Sequence, residues 1–322
     1  MTDKDITDSA NSPEKLDNHV TVFQLEGQSV RGRSVRLGAE LERAINAGQT
    51  TPRYPERVAR LLGEAMMIGA LVARALKFEG RLIVQCHGTN KGAVSLLMAD
   101  CTTDGHIRGY ARWDADMLRQ IELDNRNPGA EALLGGGTFS MTIDQGPDMD
   151  QYQGLAAVQG ESLSACAEHY FAQSEQVPTK VHLACGQVQL PGGEMEWRGG
   201  GMMVQRIAQD SARAATEDDW LTAKSLFGTL TDAELIDPDL PQAELLYRLF
   251  HEGGVRILET MAVDANCRCS RARLLDALSG FQDSALEEMA EDGNITANCE
   301  FCAAEYTFDL GQLQQGRSQA SG

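Results

Sequence analysis

Four of the eight cysteines stand in two close pairs: Cys267 and Cys269 as C-x-C, and Cys299 and Cys302 as C-x-x-C, with the 29 residues from Ser270 to Asn298 between them. Two loops that each supply two thiolates suit one tetrahedral zinc ion, whose Zn–S bonds are about 2.3 Å. The C-x-x-C half is a common zinc knuckle, and C-x-C is a tighter clamp. A redox pair and a chance spacing are the alternatives where thiols are kept reduced. A thioredoxin-like use of Cys299 and Cys302 needs a strand before them and a helix after. The residues that follow, AAEYTFDL, read as a strand instead. About 50 residues bury too little apolar surface to be comfortably stable, so a staple is expected. Zinc binding contributes roughly 10–16 kcal/mol in small zinc peptides, and without its metal this unit should unfold. Each pair is also close enough in sequence to form a disulfide. Oxidising both would remove all four ligands, so the site can serve as a staple or as a switch.

The other four cysteines, Cys86, Cys101, Cys166 and Cys185, are scattered and are expected to be small buried apolar residues. No nucleophile–base arrangement is evident, and the six histidines do not cluster. His251 is expected to pack or cap, and Met66-Met67 and Met202-Met203 to lie in a core. Neither Gly135-Gly-Gly137, Gly199-Gly-Gly201 nor Gly88-Thr-Asn-Lys-Gly92 continues into a phosphate-loop pattern. The two triple-glycine runs are expected to be turns.

The 322 residues, 42% hydrophobic and 23% charged, can bury a substantial core. Two folding units are the first expectation for this length. Lys plus Arg number 28 against 47 Asp plus Glu, a net charge of −19, which disfavours general binding to nucleic acid. No stretch reaches the ~18 consecutive apolar residues of a membrane span. The polar, acidic start lacks the marks of a secretory signal. A cytoplasmic location with reduced thiols is therefore expected.

The elements that must position the cysteines are legible in outline, and together they predict an α+β fold. Residues 1–18 read as a disordered tail, 19–209 as an N-terminal α+β domain, 210–260 as an acidic helical linker, 261–312 as a zinc-binding domain, and 313–322 as a mobile tail. Arg53 to Lys77 repeats Val58, Leu61, Leu62, Ala65, Ile68 and Val72 at helical spacing, and so predicts a long, largely buried helix despite Gly63 and Gly69. Strands are expected at Arg81–Cys86, Ala93–Met98, Ile107–Trp113, Thr138–Asp144, Tyr152–Val158, Lys180–Ala184 and Met202–Ile207. Ser162 to Gln173 reads as a helix with Leu163, Cys166, Tyr170 and Phe171 on one face. Many strands without strict alternation with helices favour α+β over a doubly wound sheet.

Residues 210–260 carry eleven acidic and four basic side chains. Thr216 to Asp219 and Thr231 to Glu234 resemble helix capping patterns, and a third helix follows Pro241 with Leu245, Leu246, Leu249 and Phe250 on one side. This stretch is too apolar for a free linker and too acidic for a core, so it should dock and be releasable. In the last domain Ser270 is a candidate cap, Ser284 to Glu287 matches a capping box, and Glu305–Phe308 reads as a strand.

At this point the chain resembles a known family, the bacterial redox-regulated heat-shock chaperones of 33 kDa, over about residues 20–310. The matching pieces are Leu76-Lys-Phe-Glu-Gly80, Tyr152-Gln-Gly154, Ser174-Glu-Gln-Val-Pro-Thr179, Gly200-Gly-Met-Met-Val-Gln205, Leu246-Tyr-Arg-Leu-Phe-His-Glu252 and the C-terminal cysteine set. Only their combination is specific. The resemblance implies an ATP-independent holdase for oxidative stress, not an enzyme, inactive while reduced and zinc-bound on Cys267, Cys269, Cys299 and Cys302. It implies disulfides Cys267–Cys269 and Cys299–Cys302 in the oxidised form, loss of zinc, and unfolding of the linker and C-terminal domain. It further implies unfolded or partly folded client proteins, an active homodimer formed through the N-terminal domain, and later transfer of clients to foldase chaperones. Ala272 departs from the acidic residue often found there in the family. The alternatives are an interaction or regulatory module with a purely structural zinc and, more weakly, a thiol–disulfide oxidoreductase.

Overall fold

The structure, a computed structural model, describes residues 17–47, 53–76, 79–146, 149–207 and 217–313. Nearly all of both expected tails, and Thr216 of the first capping pattern, lie outside the described residues. The chain divides into two compact units, Met1–Ala265 and Asn266–Gly322.

The first unit begins with strands β1 (His19–Leu25) and β2 (Val30–Leu37) and helices α1 (Ala39–Asn46) and α2 (Glu56–Ala73). Next come β3 (Arg81–His87), β4 (Val94–Thr102), β5 (His106–Trp113), α3 (Ala115–Asp124), α4 (Ala130–Leu134), β6 (Thr138–Asp144) and β7 (Tyr152–Ala157). Helix α5 (Leu163–Tyr170) runs into a π-helical turn, Phe171–Glu175, and is followed by β8 (Thr179–Gln189) and β9 (Met195–Arg206). Helices α6 (Glu217–Phe227), α7 (Asp232–Ile236) and α8 (Gln242–Phe250) precede β10 (Val255–Ala262) and β11 (Asp264–Ala265). The second unit holds helices α9 (Arg271–Ser279) and α10 (Asp283–Met289) and the hairpin β12 (Asn294–Asn298)–β13 (Glu305–Asp309).

Two sheets build the first unit, in the orders β10-β1-β2-β9-β8 and β11-β5-β4-β3-β6-β7. Helix α2 packs against both, touching β3, β4 and β5 on one side and β2, β8 and β9 on the other. A helix between two sheets must be apolar all round, and α2 is buried from Val58 to Ala73 except at Arg60. Its glycines have packing reasons. A Cβ at Gly63 would stand 2.4 Å from the Cys185 sulfur, and one at Gly69 2.3 Å from that of Cys101. Cys86, Cys101, Cys166 and Cys185 are all buried, as expected of small apolar residues. Burial pushes the thiols of Cys86, Cys166 and Cys185 up.

The acidic stretch is helical only to Phe250. Gly254, at φ +74°, turns the chain, and Val255–Ala262 is a strand paired antiparallel to β1 rather than the end of a helical linker. The physical reason is the edge that β1 offers to a segment rich in Val, Ile and Thr. Thr231 forms the expected capping box with Glu234. Helices α6 to α8 lay Trp220, Phe227, Leu235, Leu245, Leu246 and Phe250 over a sheet face of Phe23, Leu25, Val30, Met202 and Val204, which makes an apolar cluster separate from the core around α2.

Two further expectations need correction. Gly199-Gly-Gly201 is the middle of β9, not a turn, because neighbours on both faces leave no room for side chains: a Cβ at Gly199 would meet Met67, and one at Gly200 the backbone of Leu235. Ser284 is not a cap. Helix α10 already starts at Asp283, with the Ala285 and Leu286 amides bonded to the Gln282 carbonyl. Gly135, Gly136 and Gly137 do form a left-handed turn, with φ of 64°, 77° and 103°. Met66, Met67, Met202 and Met203 are core.

Candidate metal centre

The second unit brings the four spaced cysteines together from two loops. Cys299 and Cys302 sit in the turn of the β12–β13 hairpin, just beyond the closing pair Asn298–Glu305. The Cys299 amide donates to the Ala304 carbonyl at 2.9 Å and the Ala303 amide to the Cys299 carbonyl at 2.8 Å, while Ala303 takes φ +57°. This tight knuckle turns both sulfurs to one side. Cys267 and Cys269 lead into α9, whose N-cap Ser270 accepts from the Arg273 amide, as expected. Arg271 ties that loop to the hairpin: it donates to the Thr307 carbonyl at 2.7 Å and stacks on the Phe308 ring at 4.5 Å.

The four sulfurs lie within 4.8 Å of one another, and among the described residues no other group of three or more such ligands does. Contacts between the loops are short, Cys267 to Cys299 at 3.7 Å and Cys269 to Cys302 at 3.3 Å. A tetrahedron with bonds of roughly 2.3 Å has edges of about 3.8 Å, so four sulfurs in this arrangement fit a tetrahedral cation. All four are half-buried.

The electrostatics agree. Burial pushes the Cys299 thiol up, against the pull of the Cys302 and Phe301 amides, and burial does the same to Cys302. The Tyr306 hydroxyl lies 3.3 Å from the Cys269 sulfur, a contact that is the main cause of its pKa being pushed up to about 12. Cys299 and Cys302 thus resist ionisation, and a bound dication would reverse that. Tyr306 was not singled out from the sequence. Only the hairpin register, which sets Tyr306 opposite Ala297, places it beside the sulfurs.

His251 is the exposed C-cap of α8: its amide donates to the Tyr247 carbonyl, and its ring lies 3.3 Å from the Arg248 carbonyl. Among the described residues, no helix is long and apolar enough to cross a membrane.

Residues 18–309 match the family model described as Hsp33 protein. The chain is 47% identical over 305 residues to a 33 kDa chaperonin of Caulobacter vibrioides, covering 94% of this chain and 99% of that protein. To a 33 kDa chaperonin of Pseudomonas aeruginosa it is 34% identical over 299 residues, covering 91% and 92%. The fold is that of the crystal structure of a 33 kDa chaperonin from Thermotoga maritima, at a TM-score of 0.76 and 21% identity over 94% of this chain and 99% of that one. With its four-cysteine cluster in place, the chain belongs to the Hsp33 family of 33 kDa chaperonins, and so to the chaperones rather than the enzymes.

Proposed function

We propose that this chaperone is a redox-switched, ATP-independent holdase, with one zinc ion held by Cys267, Cys269, Cys299 and Cys302 in the reduced state. The observation that carries the proposal is the four-sulfur cluster in a unit with very little apolar core of its own. Zinc, when bound, would supply the charge that keeps the four thiolates together. An oxidant such as hypochlorous acid or peroxide takes two electrons from each adjacent thiolate pair and, with protons from solvent, leaves as chloride and water or as water alone. Two disulfides form, Cys267–Cys269 and Cys299–Cys302. No thiolate ligand is then left, and the second unit loses its staple. The covering segment α6–α8, rich in carboxylates, is the part of the first unit whose release would uncover apolar surface for unfolding clients. Once released, its charges repel one another and keep the protein in solution. Work in the cytoplasm, as a homodimer that passes clients to foldase chaperones, completes the proposal.

Light scattering from a heat-unfolding client tests it, with the protein added either reduced and zinc-loaded or oxidised. Suppression by the oxidised form alone is expected. Equal suppression by both forms would make the cysteines a staple only, and suppression by neither would overturn the holdase.

A further inference from the structure

The sulfurs of the cluster are bonded by different kinds of donor. In the hairpin turn the donors are backbone: the Phe301 and Cys302 amides reach the Cys299 sulfur, and the Ala304 amide reaches that of Cys302. Cys269 instead meets a side chain, the Tyr306 hydroxyl at 3.3 Å. Once Cys269 is a thiolate, that hydroxyl can only donate to it. An amide donor comes with the shape of the turn, whereas a hydroxyl depends on which residue stands there.

Strand β13 fixes where the hydroxyl stands. Side chains alternate along a strand, so Tyr306 and Phe308 share a face. Phe308 is buried in the small core of the second unit, and the half-buried Tyr306 ring packs against that core. The neighbouring Thr307 carbonyl accepts from Arg271 at 2.7 Å. Cys269 and Arg271 are thus both held by consecutive residues of one strand. A phenylalanine would fill the same space, so the core does not account for the oxygen; the sulfur does.

We infer that Tyr306 is a positioning residue of the metal centre, whose hydroxyl donates to the Cys269 thiolate and slows the attack of that sulfur on oxidants. The inference rests on the proposed switch and names what sets the threshold of one of its two pairs. A hydrogen bond to a thiolate is charge-assisted. Four thiolates carry more charge than a dication cancels, so the donor also favours the loaded site. A less basic thiolate is a less nucleophilic one, with about half of the change in basicity carried into the rate. The step that Tyr306 slows is the attack of Cys269 Sγ on peroxide. There the O–O bond breaks, hydroxide leaves, and Cys269 becomes a sulfenic acid. The Cys267 thiolate then displaces a second hydroxide, and the S–S bond forms. Two protons from solvent turn both hydroxides into water, and two electrons have passed from the pair to the oxidant.

The test is Tyr306→Phe, which keeps the ring and removes the donor, in the full reduced chain loaded with zinc or with cobalt(II). In the cobalt form the sulfur-to-metal charge-transfer bands should move to lower energy, because a thiolate without its donor gives up an electron more readily. In the zinc form, competition with a chromogenic chelator should show about tenfold weaker affinity. At saturating zinc, peroxide should form a first Cys267–Cys269 disulfide about threefold to tenfold faster, with the initial rate at Cys299–Cys302 unchanged. Mass spectrometry of alkylated peptides reads both rates. Placing 3-fluorotyrosine at position 306, a stronger donor of nearly the same shape, should move the bands and the rate the other way. Hydrogen exchange over 271–313 confirms that each variant is folded. Charge-transfer bands that do not move, or equal acceleration of both pairs, would overturn the inference and leave Tyr306 a packing residue. Moved bands and selective acceleration without holdase activity after oxidation would support it and count against the proposed switch alone.

Discussion

The two units are held together by different physics. In the first, α2 runs between two sheets, and the core around it draws on nearly every strand. In the second, the buried apolar set is Leu278, Leu286, Ile295, Phe308 and Leu313, a core too small to offset the entropy of ordering the loops that carry the cysteines. The covering segment falls between them. It has an apolar cluster of its own, yet it adds to a sheet that is already closed on its other face by α2. One chain thus contains a part built on a large buried core, a part with a small core beside four clustered sulfurs, and a covering segment with an apolar cluster of its own.

Removing the metal from the reduced protein, or replacing Cys299 with Ser, should break the comparison most sharply. A loss on the order of 10 kcal/mol is expected for the second unit, with exchange protection gone over 267–313 and unchanged in β3 to β6. Phe250→Ala should cost about 3–5 kcal/mol. Its effect should be confined to the covering segment, seen as faster proteolysis within 217–250 while α2 stays protected.

Glu64 gives the first unit a pH dependence of its own. It is buried in α2 and accepts the Leu163 amide at 2.8 Å, and burial raises its pKa to about 7. Because the folded value lies above the unfolded one, the folded state holds the proton more tightly. The first unit should therefore lose stability as pH rises from about 4.5 to 7, by up to about 3 kcal/mol. Glu64→Gln should flatten that slope in denaturant titrations at several pH values. The smallest effects concern two caps. Thr231→Ala and Ser270→Ala should each cost about 1 kcal/mol. The first should appear as easier opening of 217–250, and the second as about fivefold weaker zinc affinity in a competition titration, since folding and metal binding are coupled there.

The cysteine spacing and the 3.6-residue repeat of α2 were legible because each is a local pattern. Strands β3 to β7 were legible too, bounded by turn residues. What escaped depends on distant partners. Strand β2, Val-Arg-Gly-Arg-Ser-Val-Arg-Leu, reads as polar until one sees that Arg36 is buried against carbonyls two hundred residues away. Strand β10 is mostly exposed and owes its form to the edge of β1. The glycines of β9 looked like a turn because the helix end and the methionine that crowd them lie in other parts of the sequence.

The burial of Cys86, Cys101, Cys166 and Cys185 has a consequence for how the protein counts oxidant. A thiol reacts as thiolate and only where a reagent can reach it. Half of the thiols in the chain are therefore silent while the first unit is folded, and the folded protein should titrate as a four-thiol molecule. Under the proposed switch, the dose that oxidises the half-buried pairs would then be set also by the packing of the first unit's core, which shields Cys86 in β3, Cys101 in β4, Cys166 in α5 and Cys185 in β8. A mutation that loosened that packing should raise the number of thiols that a reagent titrates above four, with no change at the four-sulfur cluster itself.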